Sequence, residues 1–267
     1  MDVNKVLFVS QEISPYLPET PMAVIGRDLP QSIQEKGMEV RTFMPKYGFI
    51  NERRNQLHEV IRLSGLNLII DDTDHPLIIK VATLQPARMQ VYFIFNEDYF
   101  THNITKELET VTSPDDNDER SMFFVRGVLE TVKKLRWNPD VIHCTGWITA
   151  LLPLYIKHYY NDDPAFGQCK VVYSLFDDDF ATPLDKRMVE KLKLDGFTDD
   201  DLAPLTGAND YVELTRLALK HSDGVVQCSK EVNPKVLEAV KESGLPFQPY
   251  VEADERAQAC IDFYKSL

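Results

Sequence analysis

Residues 5–10, KVLFVS, decide the fold. The run is short, apolar throughout its middle and free of polar alternation, which suits a parallel strand covered on both faces. Working outward, Met22, Ile25, Leu29 and Ile33 recur at three- and four-residue steps and share one face of a helix. Gly37 follows where a helix C′ residue belongs. Residues 38–44 then give a second strand, closed by Pro45. Strand, helix and strand make one βαβ unit. The loop that carries Tyr47 and Gly48 therefore lies at the carboxyl edge of the sheet, where open α/β folds place ligands.

Further along, residues 57–63, 66–70, 77–84 and 89–95 read as short strands with turn signals between them, predicting an antiparallel β-rich insertion over about 57–95. The stretch SPDDNDE at 113–119 reads as an exposed loop that caps a helix bearing Phe124, Val128 and Leu135. Alternation then resumes: strand 140–143, helix 147–159, strand 170–175, helix 210–221, strand 224–228, helix 231–242 and a last amphipathic helix at about 252–266. This order predicts an α/β fold with a doubly wound, mostly parallel sheet. A charged helical excursion at about 177–207 interrupts it, with Leu184, Met188 and Leu192 at helical spacing. No linker or repeat divides residues 1–267, so a single domain is expected.

Composition narrows the function. With 29 basic and 42 acidic side chains among 267 residues the formal charge is −13. That balance argues against nucleic-acid and anionic-membrane partners, which need a basic patch. Cys144, Cys169, Cys228 and Cys260 match no zinc spacing and read as small buried hydrophobes with reduced thiols. No run approaches the ~20 apolar residues of a membrane span, and the N-terminal apolar run is too short for a signal-peptide core. A cytoplasmic protein is expected.

The residues that could carry chemistry cluster after the strands. Between Ser10 and Gly26 the loop holds no glycine and three prolines, so it is poorly made for cradling a phosphate. Asp177, Asp178 and Asp179 follow a strand and could hold a divalent cation, yet three acids in a row are also a solvated loop, and no histidine completes a ligand set. No metal or cofactor is expected. His143, ending a strand, could act as an acid–base group or hydrogen-bond a sugar, and the Trp147 indole could stack on a pyranose. The alternative for both is a place in the core.

Several stretches together resemble the N-terminal half of bacterial glycogen synthases and starch synthases: KVLFVSQEISPY, GRDLPQSIQEKGMEVRTFMPKYG, NPDVIHCTGWITALLPLYIK and SDGVVQCSKEV, spread over residues 5–232. The resemblance implies a Rossmann-like N-terminal domain of a GT-B glycosyltransferase and ADP-glucose-dependent elongation of an α-1,4-glucan. It also implies a second domain of similar size, and 267 residues accommodate one.

Departures fall on the positions that the family uses for chemistry. Where the family has Lys-x-Gly-Gly for the donor phosphates, this chain has Glu19-Thr20-Pro21, a reversal of charge that repels a phosphate. The family's His-x-His-Asp-Trp-His corresponds to His143-Cys144-Thr145-Gly146-Trp147-Ile148, and its His-Asn to Phe176-Asp177. Of the motif's catalytic-side residues only His143 matches, so no catalytic residue is assigned. His143, Trp147, Tyr16 and Tyr47 are the expected substrate-binding residues, for a glucan or maltooligosaccharide. ADP-glucose is disfavoured. A protein partner that supplies the missing half is a further expectation. Two functions stay open: an ADP-glucose glucosyltransferase that is impaired or completed by a partner chain, and a non-catalytic glucan-binding or regulatory subunit of glycogen metabolism.

Overall fold

A computed structural model describes residues 3–101 and 115–267. Strand β1 (Lys5–Ser10) lies between β2 (Glu39–Pro45) and a later strand, β7 (Val141–Thr145), and is parallel to both. The pleat sends alternate side chains to opposite faces. Val6 and Phe8 enter one buried cluster, and Leu7 and Val9 the other. Both faces are therefore apolar, which is why the strand reads as a continuous run.

Helix α1 (Pro21–Glu35) covers the first face with Met22, Ile25, Leu29 and Ile33. Thr20 caps it by accepting from Ala23 N–H at 3.0 Å, and Pro21 opens it, where a missing N–H costs nothing. Gly37 ends it at φ +94°. On the β side of this unit come β3 (His58–Glu59), β4 (Leu66–Ile70), β5 (Thr73–Leu84) and β6 (Met89–Phe95). A short helix, α2 (Glu97–Phe100), follows, then α3 (Asn117–Leu135). Beyond β7 the chain forms a 3₁₀ turn (Trp147–Thr149), the single turn α4 (Leu152–Leu154) and a π turn (Tyr155–Tyr159). It then alternates through β8 (Lys170–Leu175), α5 (Met188–Leu194), α6 (Tyr211–His221), β9 (Gly224–Gln227), α7 (Pro234–Ser243), β10 (Phe247–Gln248) and α8 (Ala253–Ser266).

The strand order is β10-β9-β8-β7-β1-β2-β6-β5-β3, with β4 paired to β5. From β10 to β6 every pair is parallel; β5 and its neighbours are antiparallel. The chain winds one way from β1 to β2 and the other way from β7 outward, so the winding reverses between β1 and β7. Helices α1 and α8 cover one face, and α3 and α6 the other. The four cysteines are buried free thiols.

Four expectations need correction. In the stretch 57–63 only His58–Glu59 enters a ladder: Leu57, Val60 and Leu63 pack on the core at three-residue steps while Ile61 and Arg62 are exposed in a turn, a spacing that does not suit a strand. The stretch expected as an antiparallel insertion is antiparallel within itself, β5 with β6, but β6 also pairs with β2 in parallel register and so joins the main sheet. Within 113–119, Ser113 and Pro114 lie outside the described residues, whereas Asn117 and Asp118 are buried at the start of α3, not exposed. The helix expected over 147–159 is broken into three kinds of turn. Pro153 brings no N–H to it, and Gly146 enters at φ +90°.

Candidate functional site

A reversal of winding leaves a crevice outside the carboxyl ends of the two strands where the loops diverge. Here those loops are 11–20 after β1 and 146–149 after β7. They are closed against each other. Gln11 N–H donates to Thr145 O at 2.9 Å, and Ile148 N–H reaches the Gln11 side-chain oxygen at 3.4 Å. A Cβ on Gly146 would lie 2.5 Å from Gln11 Cβ, so only glycine allows this approach. One turn into α1, a Cβ on Gly26 would lie 2.3 Å from Glu12 O, which fixes the helix against the same loop.

The N-terminus of α1 is where an anion would be drawn by free N–H groups and the helix dipole. It is occupied from within. Thr20 Oγ1 accepts from Ala23 N–H and donates to Glu12 Oε2 at 2.5 Å, placing a carboxylate of the chain itself beside the helix start. Burial pushes the Glu12 carboxyl above its ordinary range, against the pull of hydrogen bonds from Thr20 and Gln11. Glu19 is exposed on the loop just ahead of Thr20.

Across the crevice, after β8, the three aspartates separate. Asp177 and Asp179 are exposed, and Asp179 accepts from Asn233 at 2.7 Å. Asp178 turns inward, accepting from Trp147 N–H at 3.1 Å and from the Tyr211 hydroxyl. Burial raises its pKa to about 6; those two hydrogen bonds oppose the rise and the nearby Glu12 adds to it. Two carboxyls of raised pKa thus face the crevice, and among the described residues neither is accompanied by a cation in a hydrogen bond. Among the described residues no group of three or more His, Cys, Asp or Glu is placed to hold a metal ion.

The four residues expected to touch substrate surround this edge at different depths. His143 is fully buried within the β7 ladder, its Nδ1 2.5 Å from the Tyr264 hydroxyl of α8 and its Nε2 bonded to Ser174 of β8. Burial lowers its pKa to about 3, so the ring is neutral, and it stacks on Phe8 at 5.2 Å. Of the two places open to it from sequence, this is the core. Trp147 is 1 % exposed and packs edge-on against Phe180 at 5.4 Å, with its indole N–H unpaired. Tyr47 is likewise buried and donates to Gln11 O at 3.2 Å. Tyr16 is 8 % exposed, edge-on to Phe93 at 4.9 Å, with its hydroxyl pKa pushed up to about 12 by burial.

Tyr16 also lines a groove of about 540 Å³ beside the crevice, with Pro15, Phe49, Asn51, Arg54 and Asn55 among the other walls. The half-exposed Phe49 ring lies parallel to Tyr47, centroids 5.8 Å apart. Among the described residues no carboxylate lines the groove, in a chain that carries 42 of them. Phe49, Asn51 and Arg54 were not anticipated. The signal available in sequence was their place directly after the carboxyl end of β2.

The geometry has parallels among known proteins. Residues 5–246 match the family described as the starch synthase catalytic domain. Curated relatives include the glycogen synthase of Pelodictyon phaeoclathratiforme, 34 % identical over 227 residues, which are 85 % of this chain and 46 % of that protein. The glycogen synthase of Chlorobium chlorochromatii is 40 % identical over 173 residues, 64 % of this chain and 35 % of that one. The chain thus spans about half the length, or less, of the curated relatives it matches. A solved structure, the catalytic domain of starch synthase IV from Arabidopsis thaliana bound to ADP and acarbose, superposes with a TM-score of 0.73 at 17 % identity, covering 96 % of this chain and 53 % of that one. At that identity the likeness speaks for the fold. A chain that fits the family from its first strand to the edge of β10 belongs to the starch synthase catalytic domain family.

Proposed function

We propose that this protein acts in α-glucan metabolism, engaging a glucan at its carboxyl edge, and that it does not hold ADP-glucose for transfer without a partner chain. The observation that carries this reading is the Glu12–Thr20 contact at the start of α1. A diphosphate brought to that helix end would meet a carboxylate at hydrogen-bonding range and find Ala23 N–H already bonded. The loss of a donor site does not touch the neighbouring groove. There, Phe49 offers a ring face, Asn51 and Asn55 offer amides, and Arg54 offers a guanidinium, the mixture of apolar wall and few polar groups that suits a sugar chain. In this reading Tyr16 is a contact residue, while Tyr47 and Trp147 support the wall and His143 supports the sheet beneath it. In this reading the protein works in the cytoplasm, a place that its kinship with glycogen synthases supports.

Transfer of labelled glucose from ADP-glucose to glycogen, by the purified chain, is expected at background. Calorimetric titration with maltooligosaccharides is expected to show binding that Phe49→Ala and Arg54→Ala weaken. Robust transfer by the chain alone overturns the first part, and silence in the titration overturns the second. The alternative is a transferase whose donor half is supplied by another chain. Recovery of transfer when native lysate is added back would support it.

A further inference from the structure

The carboxyl edge of the sheet is divided by charge. On the side of β1 and β8 stand acids: Glu19 is exposed just ahead of α1, and Asp177 and Asp179 are exposed after β8. On the side of β2 stand cations. The segment that follows β2, residues 46–55, holds Lys46, Arg53 and Arg54 against the single acid Glu52, in a chain whose formal charge is −13.

Glu52 is already taken. Lys46 and Lys80 of β5 both reach its Oε1, at 3.0 and 2.6 Å, and both ammoniums lie over the Phe95 ring, at 4.8 and 5.2 Å from its centroid. Burial works to raise the Glu52 carboxyl, yet hydrogen bonds from Lys80 and Lys46 hold it below its ordinary range. One carboxylate between two ammoniums leaves this trio with a positive charge, and Lys46 is buried, so water screens that charge poorly. Arg53 and Arg54 are exposed and add to it. The Arg54 backbone N–H donates to Asn51 Oδ1 at 2.8 Å, which holds the turn, while among the described residues its guanidinium meets no carboxylate. Helix α2 comes close, with Phe100 O accepting from Gly48 N–H, but its acids Glu97 and Asp98 do not line the groove, and Asp98 lies 3.6 Å from His75 instead.

Resting on the reading of this groove as a glucan site, we propose that its ligand is a phosphorylated α-glucan, with the phosphoryl group paired to Arg54 and the adjoining sugar against Phe49 and Tyr16. A phosphate monoester has the oxygens to accept two parallel N–H bonds from one guanidinium, and at neutral pH it carries nearly two negative charges to answer the field of the lysine pair. A neutral glucan answers none of it. The acids on the other side of the edge act in the same sense, since they repel the phosphoryl group from α1 and leave the groove as its place of lowest potential.

Calorimetry on the full chain with a matched pair, maltotriose and maltotriose 6-phosphate, tests this, with inorganic phosphate as a third titrant. The phosphorylated sugar is expected to bind about tenfold or more tightly than the neutral one at low salt. That ratio is expected to shrink about threefold or more between roughly 0.05 and 0.5 M salt, whereas the Kd for maltotriose holds. Arg54→Gln keeps an amide donor without the charge and is expected to bring the ratio to about twofold or less. Arg53→Gln, one residue away but off the groove wall, is expected to change it by no more than about twofold. Equal binding of the two sugars overturns the proposal and leaves the glucan reading standing; silence from both overturns the two together. A ratio that persists in Arg54→Gln overturns it as well. So does inorganic phosphate binding as tightly as maltotriose 6-phosphate, which would make the groove a site for free anions.

Discussion

Thr20 makes two hydrogen bonds that depend on each other. As a cap it accepts from Ala23 N–H, and through the same oxygen it donates to Glu12. Thr20→Ala therefore removes the cap and leaves a buried carboxylate with only the 3.4 Å contact from Gln11. A loss of about 1–2 kcal/mol is expected. Urea titration at neutral pH checks it, as a lower midpoint with an unchanged slope. Asp178 gives a second residue-scale prediction, with a definite sign. Its pKa is about 6 in the fold and ordinarily about 3.9. Between those values the folded chain binds a proton that the unfolded chain has released, so its contribution to stability falls as pH rises from about 4 to 6. Asp178→Asn is expected to remove about 1–3 kcal/mol of this pH dependence, a range discounted for partial exposure. Identical pH dependence in the parent and the variant would contradict the burial of that carboxyl.

At the scale of elements, the excursion after β8 carries one short helix, α5, and is tied down by charge as well as by its buried Leu184, Met188 and Leu192. The Lys191 side chain in α5 is 2 % exposed, yet its ammonium lies 2.9 Å from Asp118, 2.6 Å from Glu119 and 3.1 Å from Asp185. Arg126 and Tyr155 hold Asp195 at the other end of the helix. Lys191→Met is expected to destabilise the chain by about 3–5 kcal/mol, because Asp118 stays buried without its cation. The double variant Lys191→Met, Asp118→Leu is expected to recover much of that loss, and a thermodynamic cycle of the four proteins measures it. The same pair shows where sequence reading stops. Strands β1, β8 and β9 and helices α1 and α6 follow from local period and caps, which lie within a few residues of one another. Lys191 and Asp118 are 73 positions apart, and nothing in either neighbourhood announces the other. Asp118 looked like part of a solvated acidic loop because the cation it meets, Lys191, is distant in sequence. The site was legible in the same uneven way: the carboxyl edge was visible from the βαβ pattern, but the depth of Tyr47 and Trp147 depends on loops from other strands closing over them.

Across the whole molecule, the two faces of the sheet meet their outermost helices differently, and His143 joins the last of them to the centre. Tyr264 brings α8 to His143 Nδ1 while Ser174 takes Nε2, so one buried ring links β7, β8 and α8. A histidine ending a strand invites a catalytic reading from sequence. What decides against contact with solvent is a helix 121 residues later in the chain. The acid response of the fold should carry the mark of this lock. His143 titrates at about 3 in the fold and at about 6.5 when unfolded. Below about 6.5 the unfolded chain gains a proton that the folded one refuses, so stability falls as pH drops, opposite in sign to Asp178 over the window they share. Replacing His143 with Gln keeps a donor and an acceptor but no charge. The variant is expected to be less stable at neutral pH through imperfect packing, while its loss of stability between about pH 6.5 and 4.5 is smaller than the parent's by about 2–3 kcal/mol. Urea midpoints taken across that range separate the two effects, because packing shifts every point equally and the proton term grows toward acid. A parallel offset with no change in slope would mean that His143 takes up its proton inside the fold as readily as in the unfolded chain, which its burial argues against.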